Sequence, residues 1–236
     1  MKQYNGEKAI ISLTTWKARI NTVGLTLFSL IKRCPGFHIV LVLSEEEFPK
    51  KEDELPDSIM AFVNQDLIEL LWIYKNYKSF KKVLFTMAKY KNVPVISADD
   101  DCIYKYNYAE ELYKYSLKHK NAIISETTSS KLGILGAWGY ATLHPPIYNI
   151  DNLLDVVEYV TQYNNYHDDI LYATYAKLNH IPIIGLSKTM RKVVIPIPSC
   201  NKSSSYKVRN NLKLNVVNNY KEAFSAVSKN LTDTLR

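Results

Sequence analysis

The sequence predicts an α/β fold in which a mostly parallel central sheet is flanked by helices. Two observations carry this prediction. A chain of 236 residues, 47% hydrophobic and 22% charged, holds enough apolar side chains for one packed domain. Along it, short β-branched and aliphatic runs recur between stretches of helical periodicity, the pattern of a sheet covered by helices on both faces.

The chain opens on an apolar run at 8–14 (KAIISLT), read as a strand. A helix follows over 23–33, with Val23, Leu27, Leu30 and Ile31 on one face. A second strand spans 38–43. After a polar, acidic loop with Pro49 and Pro56 come a helix near 58–65, a strand near 68–73 and a helix over 80–90. Residues 93–98 (VPVISA) read as a buried strand, and Asp99, Asp100 and Asp101 follow it directly. Beyond lie a helix near 108–119, a strand at 122–125, a glycine-bearing segment at 133–139, helices near 152–163 and 168–178, and a strand at 181–186. No internal repeat is visible, and the only low-complexity run is Ser203–Ser205.

The net charge of +7 is unevenly placed. Residues 187–236 carry ten Lys and Arg against Glu222 and Asp233, while the first 186 residues sum to −1. The organisation expected is a catalytic domain over 1–190 and a basic extension over 191–236. That extension is either a solvated tail or a surface for anions: a substrate diphosphate, an anionic membrane or nucleic acid. Within it Tyr220, Phe224, Val227 and Leu231 have the spacing of one helical side, suited equally to a membrane surface and to docking on the sheet. No stretch approaches the roughly 18 apolar residues needed to span a bilayer, and the start MKQYNGEKAIISL lacks the features of a secretory leader. A soluble, cytoplasmic protein is expected, with peripheral contact at the inner face of the plasma membrane where the tail is engaged. Cys34, Cys102 and Cys200 are far apart and odd in number, which argues for reduced thiols rather than a disulfide framework.

Ligands of open α/β sheets bind beyond the carboxyl ends of the strands, which is where the aspartate triplet falls. Residues two apart on an extended chain point the same way, so Asp99 and Asp101 converge on one cation while Asp100 faces a neighbouring group. Adjacent carboxylates repel one another, a cost that a divalent ion offsets. Hard oxygen ligands suit Mn²⁺ or Mg²⁺, which take further ligands from substrate phosphates. The competing reading is a solvated acidic turn ahead of the next helix. Asp168 and Asp169 open a helical pattern, where acidic residues are also favoured for capping and by the helix dipole. Their functional reading is a base that takes a proton from an acceptor hydroxyl, with His167 alongside. Lys78, Lys81 and Lys82 surround the start of the helix before the triplet and are either phosphate ligands or surface lysines. Lys17 and Arg19 follow the first strand, and Arg191, Lys192, Lys202, Lys207 and Arg209 form a candidate basic lid over a leaving diphosphate.

The blocks ISLTTWKARI (11–20), LVLSEEEFP (41–49), YKSFKKVLF (77–85), VISADDDCIY (95–104), WGYATLHPP (138–146) and HDDILYATYAKLNHIPI (167–183) together resemble a bacterial glycosyltransferase family of GT-A type. That is a Rossmann-like fold acting on nucleotide diphosphate sugars, and its members are associated with capsule, lipopolysaccharide and other surface glycans. The resemblance covers about residues 8–190. It implies a metal and donor-diphosphate role for the triplet and a nucleotide role for Thr14, Thr15 and Arg19. It places Lys82 near the phosphates, and the segment from Trp138 and Gly139 to Pro146, with His144, beside the transferred sugar or acceptor. Asp168 or Asp169 takes the base position. His144 departs from the aromatic residue expected before the two prolines. The implied donor is a nucleotide sugar, most simply a UDP-sugar, and the implied acceptor is a glycan or a lipid-linked glycan.

Other readings are weaker. A nucleotidyltransferase acting on a sugar phosphate ordinarily carries a glycine-rich loop after its first strand, and SLTTWKARI has no glycine. No GxSxG elbow supports a serine hydrolase. The pI of 9.1 and 18 tyrosines suit a nucleic-acid binding protein, but the basic excess lies in the tail and no nucleic-acid partner is expected.

Overall fold

A computed structural model describes residues 8–130, 135–137, 139–163, 167–186, 192–198 and 213–234, with side chains of the final helix over 217–227. The first half alternates as expected. It runs through β1 (Ile10–Thr14), α1 (Val23–Arg33), β2 (His38–Ser44), α2 (Asp57–Asn64), β3 (Glu69–Ile73), α3 (Lys81–Lys89) and β4 (Val95–Ala98), with single 3-10 turns at Lys51–Glu54 and Lys78–Phe80. The second half contains β5 (Cys102–Tyr104), α4 (Tyr108–Lys118), β6 (Ile123–Ser125), β7 (Thr128–Ser129), β8 (Gly136–Ala137) and β9 (Ala141–His144). It continues through α5 (Ile150–Thr161), α6 (Asp168–Leu178), β10 (Ile183–Gly185), β11 (Val194–Pro196) and α7 (Lys213–Thr234).

Seven strands form the central sheet in the order β10-β6-β9-β4-β1-β2-β3. All pairings are parallel except those of β9, which lies reversed between β4 and β6. The fold class expected from the sequence is therefore the one observed, with one unexpected strand. Residues 141–144 (ATLH) are too short and too mixed to announce a strand, and the two prolines after them suggest a loop. Pairing on both sides, which only the tertiary fold supplies, makes them one.

Side chains alternate across the sheet. Ile11, Leu13, Ile39, Leu41, Leu43 and Ile96 face a core completed by Val23, Leu27 and Leu30 of α1, Ile59 of α2 and Leu112 of α4. On the other face Ile10, Val40, Val42, Val95 and Ile123 meet α3, α5 and α6. Helices α1, α4 and α5 bury one stripe and leave their polar side to water, whereas α6 is buried all round over 170–176.

The basic extension is partly built into this body. β11 pairs antiparallel with β5, and Val217, Tyr220, Ala223, Phe224 and Val227 of α7 are buried in the core that α5 and α6 share. This corrects the membrane-facing alternative for Tyr220, Phe224 and Val227: these side chains are spent on the protein's own interior. Leu231 lies outside the described side chains. No described helix is long and apolar enough to cross a membrane. Cys34 and Cys102 are buried free thiols, and burial pushes both well up from their ordinary pKa. Cys200 lies outside the described residues.

Candidate active site

The chain leaves β1 toward β2 on one side, while β4 lies on the other, so the carboxyl ends of β1 and β4 flank a crevice. Thr14 ends β1, and its hydroxyl donates to the Val42 carbonyl at 2.7 Å, which ties the turn to β2. Thr15 reaches across the crevice, donating through Oγ1 to Asp100 Oδ2 at 2.7 Å. Arg19 Nη1 lies 2.6 Å from Asp100 Oδ1 and 3.1 Å from Asp101 Oδ2. Asp100 is the buried member of the triplet; it and Asp101 lie in a turn after β4 and meet the same Arg19 nitrogen, so the alternation expected of an extended chain is not kept here. Its backbone is fixed as well, because Thr26 Oγ1 of α1 donates to the carbonyls of Asp100 at 3.1 Å and Cys102 at 2.8 Å.

Asp99 and Asp101 remain more open, with side chains 40% and 28% exposed. Burial and the charge of Asp99 push the Asp101 carboxyl up from its usual range. Two accessible carboxylates that repel each other are an oxygen-only donor pair of the kind Mn²⁺ or Mg²⁺ uses when phosphate supplies further ligands. Among the described residues no three His, Cys, Asp or Glu side chains already converge on a common point.

Asp99 is held by a second element. Lys82 Nζ lies 3.0 Å from Asp99 Oδ1 and 3.2 Å from Asp168 Oδ2. This lysine is 9% exposed and opens α3 beside Lys81, whose ammonium is buried against Glu47 at 3.0 Å. Two buried cations at a helix N-terminus oppose the helix dipole and are desolvated, so each requires its carboxylate. For Lys82, desolvation is outweighed by Asp168, Asp99 and Asp169, and its pKa lies well above the ordinary value. For Lys81 burial dominates and pulls the pKa down. Burial alone would raise the Asp168 carboxyl; Lys82 and a hydrogen bond from Ser79 outweigh it and hold that carboxyl below its usual range. Asp168 is largely buried in the first turn of α6, whereas Asp169, one residue on, is exposed.

The remaining predicted residues divide. Gly139 sits where a Cβ would come within 3.0 Å of Thr127 N and of Glu126 Cβ, so only glycine lets these segments touch. Tyr140 follows it, and its carbonyl accepts from the Tyr104 hydroxyl at 2.8 Å, while the Tyr104 hydroxyl oxygen in turn accepts the Asp99 N–H at 2.9 Å. The Gly139–Tyr140 segment is thereby fastened to the triplet. His144 is not at the surface: it is 3% exposed, bonded through Nδ1 to the Tyr148 hydroxyl at 2.9 Å and packed on Tyr172. Its register partner is Val95, three residues below the sheet's carboxyl edge. Burial drives its pKa down to about 3, so it acts as a neutral packing group in the floor beneath Asp168. Lys192 is exposed; Trp138, Arg191, Lys202, Lys207 and Arg209 lie outside the described residues.

One residue beside the site went unremarked in the sequence: Glu126 directly follows β6 and is 9% exposed. The usable signal was a carboxylate next to an apolar strand.

Solved structures share this architecture. The mannosyltransferase PcManGT from Pyrobaculum calidifontis, in complex with GDP-Man and Mn²⁺, matches with a TM-score of 0.52 at 11% identity, covering 97% of this chain and 76% of that one. TarS 1–349 of S. aureus matches at 0.51 and 11% identity, over 94% and 72%. GlyE of Streptococcus pneumoniae TIGR4 matches at 0.49 and 13% identity over 75% of this chain, which spans only 45% of that protein. A second TarS structure, with UDP, is spanned to 58%. No protein-family model and no curated protein matches the sequence. What the likeness to PcManGT and TarS shows is the fold: the chain is built on a GT-A-like, mostly parallel α/β sheet.

Proposed function

We propose that the protein is a metal-dependent glycosyltransferase that moves a sugar from a nucleotide diphosphate donor, most simply a UDP-sugar, to a hydroxyl of a glycan or lipid-linked acceptor. The observation that carries this reading is Lys82, which joins Asp99 of the triplet to Asp168 of α6. It sets the donor-side carboxylates and a base candidate at one end of the sheet. The fold shared with PcManGT, a mannosyltransferase solved with GDP-Man and Mn²⁺, supports the same reading.

In this proposal Thr14, Thr15 and Arg19 shape the nucleotide pocket at the end of β1, with Asp100 fixing the loop. Asp99 and Asp101 would hold Mn²⁺ or Mg²⁺, which supplies positive charge to the departing diphosphate. Lys82 would contact the same diphosphate. Asp168 is the better-placed base candidate of the acidic pair, because its carboxylate faces Lys82 and the triplet. Asp169, exposed at the same helix start, adds negative charge nearby. A carboxylate base fits inverting transfer. Gly139 and Tyr140 border the sugar, with Trp138 in the same segment. The basic extension would serve as a lid on the diphosphate or meet an anionic membrane that carries the acceptor, in the setting of bacterial surface-polysaccharide synthesis.

The test is hydrolysis or transfer assayed over a panel of UDP- and GDP-sugars. Turnover should appear with Mn²⁺ or Mg²⁺, vanish with chelator and vanish in Asp101→Ala while that variant keeps its fold. Full activity in Asp101→Ala would remove the reading.

A further inference from the structure

Glu126 carries the inference. Its backbone N–H donates to the Ala141 carbonyl at 3.0 Å, which places it at the carboxyl edge of β6. Ser125 of β6 and Ser97 of β4 both pair with Thr142 of β9. Glu126 is therefore level with Ala98, two strand spacings away, or about 10 Å. Asp99 is the first residue after β4.

The side chain itself is incomplete. Oε1 accepts the Val193 N–H at 3.3 Å, while Oε2 is fully buried with no hydrogen-bond partner among the described residues. Burying a carboxylate oxygen unpaired costs more than a typical hydrogen bond returns, so such an atom calls for a donor. Gly139 packs directly against this carboxylate, since a Cβ there would stand 3.3 Å from Oε2 and 3.0 Å from Glu126 Cβ. An ionised carboxylate only accepts, so the missing partner is an O–H or N–H group. Its negative charge repels phosphate, so the partner belongs to a neutral, hydroxyl-bearing part of the ligand.

We infer that Glu126 Oε2 receives a hydroxyl, or an acylamino N–H, of the donor's sugar ring, and that Glu126 is a specificity-determining residue of the transferase site. This rests on the function proposed above. It adds a third anchor to the donor: the nucleotide at the β1 loop, the diphosphate at the triplet and the sugar under Gly139. Because Oε1 holds Val193, the same side chain links the sugar to the β11 segment that pairs with β5.

The experiment compares each bare nucleotide with its sugar conjugate by calorimetry in Mn²⁺: UDP against UDP-GlcNAc, and GDP against GDP-mannose. For whichever conjugate the wild-type chain prefers, Glu126→Gln and Glu126→Ala should weaken conjugate binding at least tenfold. The bare nucleotide should stay within twofold in the same variants, and donor hydrolysis in water, which needs no glycan, should fall in parallel. A purely structural Glu126 would move conjugate and nucleotide together, and that result overturns the inference, as does unchanged conjugate binding and hydrolysis in both variants. If the wild-type chain binds nucleotide and conjugate equally, no sugar anchor exists and the inference falls alone. If it binds neither, the proposed function falls with it.

Discussion

Lys82 Nζ stands 3.2 Å from Asp168 Oδ2, so the first turns of two helices, α3 and α6, meet through one ion pair beside the aspartate triplet. The N-termini of both helices repel a cation, and the lysine stays there because Asp168 and Asp99 more than compensate. Lys82→Met should leave Asp168 buried without its counter-charge and cost about 3 kcal/mol of stability, read by urea unfolding. In the proposed enzyme it should also lower turnover by about two orders of magnitude. Removing Lys82 raises the Asp168 pKa, so the acid limb of any residual pH–rate profile should move to higher pH.

The two acidic residues of α6 should separate in kinetics. Asp168→Asn is expected to reduce turnover by about two orders of magnitude or more with donor affinity within a few fold, as loss of a base does. Asp169→Asn, on the exposed side of the same turn, should retain turnover within about tenfold. Transfer rates measured at saturating donor decide this, and equal rates in both variants and the wild type would remove the base from this helix.

Gly139→Ala should damage the site without changing any charge. The added methyl meets Thr127 N and Glu126 Cβ at 3.0 Å, and neither atom can yield without moving backbone. A stability loss of about 1–3 kcal/mol by thermal unfolding, with weakened donor binding, is the expected result.

Acid stability should depend on Glu69, far from the triplet. Burial favours its protonation, but hydrogen bonds from His38, Lys89 and Tyr90 outweigh that and hold its pKa at about 2. The folded pKa is below the ordinary value of 4.5, so the stabilisation is complete above that pH and fades as pH falls toward 2. Thermal melts of Glu69→Gln should therefore lie below the wild type at pH 6, with the gap closing below about pH 3.

Phe224→Ala should cost about 3–5 kcal/mol if the last helix is as integral as its burial implies. Salt-dependent binding to anionic vesicles should be unchanged in a folded sample of this variant, because the side chain faces the protein and not a lipid surface. Co-sedimentation with anionic and neutral vesicles checks it.

Much of the fold was legible because its signals are local. The bounds of α1 are those its spacing predicts, and α6 begins at Asp168 as expected, since apolar periodicity and acidic first turns are written within one helix. What escaped notice depends on distant partners. β9 is a strand because β4 and β6 flank it, and β5 with β11 unites residues about ninety apart. The same division holds for the candidate site. That the triplet directly follows an apolar strand was legible; the turn at Asp100 and Asp101, which brings both carboxylates to Arg19, was not. The burial of Glu126, the pairing of Lys82 with Asp168 and the withdrawal of His144 into the floor arise from packing between elements that no spacing along the chain encodes.

The position of β11 bears on how firmly the backbone of the triplet is held. The Ile197 N–H donates to the Asp101 carbonyl at 2.8 Å, directly beyond the pairing of Pro196 with Cys102. The main chain of Asp101 is therefore clamped by a segment far along the sequence, so a substitution that loosens β11 shifts Asp101 without touching any of the three carboxylates.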